Sequence, residues 1–107
     1  MSHVVLTTTT ANADDAERIA RTLVQERLAA CVQVSEVKSW YVWQGKEHAE
    51  SEALLTIKTR AALQEEVCAR ILALHDYEVP EIVATSVVFG SEAYLAWIDA
   101  QTQGAQS

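Results

Sequence analysis

With 107 residues, half of them hydrophobic, and no linker or low-complexity tract, the chain has the size of a single domain whose one core needs no disulfide. Eight Lys and Arg against fifteen Asp and Glu give a net charge of -7 without a basic cluster, which argues against nucleic-acid and membrane-surface partners. Cys31 and Cys68 form neither a disulfide framework nor a CxxC metal clip, and neither a signal peptide nor a membrane span is visible, so a cytoplasmic protein with reduced thiols is expected.

Val4 to Thr8 is apolar and β-branched and predicts a buried strand. Asp14, with Glu17 three residues on as in a capping box, predicts the start of an amphipathic helix bearing Ala16, Ile19, Ala20, Leu23, Val24 and Leu28. Cys31, Val32 and Val34 open a second strand, continued by Val37, Ser39, Tyr41 and Trp43 on alternate positions up to a turn at Gln44-Gly45-Lys46. The returning strand starts wet at Glu47 to Glu52 and ends buried through Ala53, Leu55 and Ile57, so the hairpin projects beyond the core. Thr59 is the expected cap of a second helix, with Leu63, Val67, Ile71 and Leu74 on one face. A fourth strand is expected over Ile82 to Phe89, broken by Gly90. Ser91 then caps a short helix with Tyr94, Leu95, Trp97 and Ile98, and a polar tail runs from about Gln101. The order is βαββαβ plus a helix: an α+β, ferredoxin-like fold with an antiparallel sheet and helices on one face.

Two segments carry candidate chemistry. His75-Asp76-Tyr77-Glu78-Val79-Pro80-Glu81 sets an imidazole among three carboxylates at a corner that Pro80 stiffens, which suits a metal site or nothing more than the end of a helix. Trp40, Tyr41 and Trp43 place three of the seven aromatic residues within four positions of the projecting hairpin. Such rings mark a partner surface, here a closed homo-oligomer, unless they fold onto the third helix. Signatures of other functions on this topology are missing: no RNP-like segment, no CxxC in the first loop, no arginine-bearing phosphate cradle, no nucleophile elbow, Walker loop or HExxH.

Leu28-Ala29-Ala30-Cys31-Val32, Tyr41-x-Trp43-x-Gly45, Glu50-x-Glu52 leading to Lys58-Thr59, and His75-x-Tyr77-x-x-Pro80-Glu81 occur in order, and together they closely resemble the CutA family, named for divalent-cation tolerance. The resemblance runs from about Val4 to Trp97. It implies a cytosolic ferredoxin-like homotrimer, similar in assembly to the PII signalling proteins, linked to copper and other divalent cations without an established reaction. Cys31 matches the family cysteine and is read either as a soft copper ligand or as a packed strand end. Thr7 stands where some members carry a cysteine, and Asp76 replaces the proline of the usual His-Pro-Tyr.

The expected metal donors are Cys31, His75 and Glu81. The expected subunit cleft is formed by Trp40, Tyr41, Trp43, Glu52, Lys58, Tyr77 and Pro80, with the carboxylates either metal-bound or paired with Lys58, Arg60 or Lys46. The reading is a non-enzymatic, metal-linked binding or regulatory protein. Its alternative is a PII-like small-ligand sensor, or an enzyme using His75 as base in the same cleft. Met1-Ser2-His3 is a separate candidate for square-planar Cu(II).

Overall fold

The computed structural model describes residues 2–102. The β-branched start forms β1 (His3–Thr10) and leads into α1 (Ala13–Gln25). The helix begins two residues earlier than Asp14 suggests, because Asn12 takes the N-cap and its Oδ1 accepts from the Asp15 amide at 2.8 Å. Asp14 and Asp15 then lie in the first turn, where the helix dipole favours them, and Glu17 pairs with Arg21 instead of boxing the cap. Ala16, Ile19 and Leu23 are buried, whereas Val24 is exposed. The helix ends in a Schellman arrangement, with Arg27 (φ 60°) in the left-handed position usually held by glycine, and with the Arg27 and Leu28 amides donating to the carbonyls of Val24 and Leu23.

β2 (Cys31–Trp43) pairs over its whole length with β3 (Lys46–Arg60), from Cys31 opposite Lys58 to Trp43 opposite Lys46. Gln44 and Gly45 both have positive φ (52° and 77°), the two-residue turn whose twist matches a hairpin. Thirteen residues at about 3.3 Å each give β2 a length close to the 44 Å long axis of the molecule. β1 pairs with β3 only as far as Thr10 opposite Ala53, so everything from Glu52 to the turn is a two-stranded extension.

Thr59 does not cap the second helix. It stays inside β3, fully buried, and its hydroxyl donates to the Leu28 carbonyl at 2.6 Å. A 3-10 turn, Ala61–Leu63, intervenes before α2 (Gln64–Leu74), whose Val67 and Ile71 are buried. β4 is shorter than expected, Val83–Ser86, because its partner β1 runs out: Ser86 pairs with Val4, and after Val87 donates to the His3 carbonyl no partner strand continues. Val88 and Phe89 are left almost wholly exposed.

Gly90 has Leu95 packed where a Cβ would stand, and α3 (Glu92–Gln101) follows. Ser91 occupies the N-cap position without a capping side-chain hydrogen bond. The tail expected from Gln101 is not loose at its start: Gln101 closes α3 and Thr102 is fully buried, while residues 103–107 lie outside the described residues.

The sheet order is β2-β3-β1-β4, antiparallel throughout, which is the ferredoxin-like arrangement with an added helix and a long hairpin. Strand alternation sends Val4, Leu6, Ala53, Leu55 and Ile57 to the face under α1 and α2, where they form the core with Ile19, Leu23, Val67 and Ile71. The opposite face carries Thr7, Thr9, Val37, Ser39, Tyr41, Trp43, Glu50 and Glu52, and it is over this face that the corner after α2 folds.

Candidate functional site

α2 ends at His75, and both nitrogens of its ring are committed to the fold. Nε2 lies 2.7 Å from the Thr9 carbonyl, which can only accept, and Nδ1 lies 3.1 Å from the Tyr77 amide, which can only donate. The ring is therefore the neutral tautomer with its proton on Nε2, tying the corner to the end of β1. Tyr77 leans on the same ring at 4.8 Å and donates its hydroxyl to Glu52 at 2.8 Å. Glu52 sits just past the end of β1, 8 % exposed although its residue type favours water. Asp76 points the other way, 3.8 Å from Arg18.

The hydroxyl pattern repeats across the face. Tyr41 donates to Glu50 at 2.5 Å while stacking on His48, its cross-strand partner, and Thr7 donates to Glu81 at 3.0 Å. The hydrogen bond to Glu50 stabilises the neutral phenol and pushes the Tyr41 pKa up to about 12. Tyr77 is raised further, by burial first and by its bond to Glu52 second. Cation pairing of these carboxylates, one of the two alternatives read from the sequence, does not form among the described residues: Lys58 donates to Gln33 and Arg60 to Thr102.

Between hairpin and corner lies an open pocket of about 560 Å³. Tyr41, Trp43, Ser39, Glu50 and Glu52 line it from the hairpin, and Tyr77, Glu78, Val79 and Glu81 from the corner. Trp40 also borders it, although alternation turns its side chain to the other face of the hairpin, where it is 69 % exposed. The three hairpin aromatics are thus divided between two faces, and none is folded away. Ser39 and Glu78 join the lining although neither was among the expected cleft residues; Ser39 follows from its alternation with Tyr41 and Trp43.

Among the expected metal donors, Glu81 borders the pocket and His75 stands behind it, whereas Cys31 faces Lys58 at the far end of the hairpin pair. Four residues along β1 and two strand spacings separate the two regions, on the order of 15 Å. Among the described residues no group of three or more His, Cys, Asp and Glu converges as metal ligands must. The Met1-Ser2-His3 candidate involves Met1, outside the described residues; His3 is buried, with Nε2 2.8 Å from Asp99.

Residues 4–101 match the family of the CutA1 divalent ion tolerance protein. The chain belongs to that family. The divalent-cation tolerance protein CutA of Thermus thermophilus is 43 % identical over 103 residues, 95 % of this chain and 99 % of that protein. The chloroplastic protein CutA of Arabidopsis thaliana is 41 % identical over 94 % of this chain, which spans 56 % of the plant protein, about half of its length. Among solved structures, CutA from Xylella fastidiosa superposes with a TM-score of 0.93 at 39 % identity, covering 96 % of this chain and all of that one. The periplasmic divalent cation tolerance protein CutA from Archaeoglobus fulgidus gives 0.92 at 36 %, covering 94 % and 99 %. CutA relatives thus carry both chloroplastic and periplasmic names, and among the described residues no helix is long and apolar enough to cross a membrane.

Proposed function

We propose that this chain acts as a cytoplasmic, homotrimeric, non-enzymatic binding or regulatory protein in the response to divalent cations, copper among them. The observation that carries the reading is the acidic pocket between the aromatic hairpin and the Pro80 corner, open on the sheet face away from the helices. Trp40, Val42, Val83, Val88 and Phe89 are exposed around the same sheet, apolar side chains of the kind that mark a partner surface. Laying further copies against that surface buries the rings and turns the pocket into a subunit cleft that includes Trp40, Tyr41, Trp43, Glu52, Tyr77 and Pro80, with Lys58 further along the interface. Names of relatives such as the Thermus protein supply the link to divalent cations.

Cys31, His75 and Glu81 lie apart in one chain, so a copper site built from them draws donors from more than one copy, and recruiting His75 breaks its bond to Thr9 or to the Tyr77 amide. General-base catalysis by His75 faces the same obstacle, which favours binding over turnover. The pocket volume also supports the second reading, a small-ligand sensor.

Native mass spectrometry of the purified protein is expected to report a trimer and any retained copper; a monomer at micromolar concentration ends the trimer reading. Calorimetry with Cu(II) on Cys31→Ser, His75→Ala and Glu81→Gln then assigns donors, since an unchanged affinity removes that residue from the site. A chain starting at Val4 that loses Cu(II) binding places the metal at the amino terminus instead.

A further inference from the structure

We draw no further inference here: the strongest candidate, the exposed apolar surface at Val88 and Phe89 after β4 and at the stacked Tyr94 and Trp97 of α3, is an unpartnered face, and nothing in the structure shows what covers it.

Discussion

Glu52 and Tyr77 show how much one hydroxyl carries. The phenol is the donor that keeps a buried carboxylate hydrogen-bonded, so Tyr77→Phe leaves that charge without its donor and is expected to cost about 1–3 kcal/mol at neutral pH, read as a lower urea midpoint. The same bond has a pH signature. Because the folded protein holds Tyr77 protonated above the ordinary phenol pKa, the stabilisation is fully present below about pH 10 and is lost as pH rises through the raised folded value. Urea midpoints should therefore fall on the alkaline side in the wild type and fall less in Tyr77→Phe. Glu26 works in the opposite sense: its hydrogen bonds from Arg70 lower its pKa, so that contribution is present above the usual carboxylate range and fades in acid.

At the scale of elements, the helix ends are held from outside. None of α1, α2 and α3 has a basic residue in its own last turn, yet the terminal carbonyls of two of them accept from arginines elsewhere in the chain. Arg18 on α1 donates to Leu74 at the end of α2, and Arg27 donates to Ala100 and Gln101 at the end of α3, which helps to hold its own unfavourable backbone conformation. Arg60, at the end of β3, donates to the carbonyl and hydroxyl of Thr102, just past α3. Arg60→Ala is expected to cost about 2 kcal/mol and to raise amide exchange through the last turn of α3. The amphipathic spacing of α1 and α2 was legible because apolar periodicity records burial directly, whereas these caps were not, since each joins residues dozens of positions apart. The Asn12 cap is ambiguous in the sequence for a local reason: two residues able to cap stand two positions apart, and it is Asn12 whose side-chain oxygen accepts from a first-turn amide.

In the whole molecule, core and projecting hairpin answer to different forces. Leu55 is fully buried between the sheet and the two helices, and Leu55→Ala should cost about 3 kcal/mol in any oligomeric state. Trp40 is largely exposed in one chain, so Trp40→Ala should leave the unfolding midpoint of a dissociated chain almost unchanged while weakening assembly, read by light scattering across a dilution series. Such a split is what the proposed trimer would give a domain of this size.

The sequence by itself determined the element order, the ferredoxin-like topology, the hairpin turn at Gly45, the core face of β3 and most of that of α1 and α2, and the family, because each of these is written in local periodicity, turn chemistry and motif spacing. Only the tertiary structure decided what the site residues do. It committed both nitrogens of His75 to the backbone, gave three of the four pocket carboxylates hydroxyl partners, set Cys31 far from the corner and divided the hairpin aromatics between two faces. The physical reason is that a side chain's chemistry depends on which donors and acceptors reach it. At the corner those come from β1 and β3, brought there by the fold of the sheet and not by their positions along the chain.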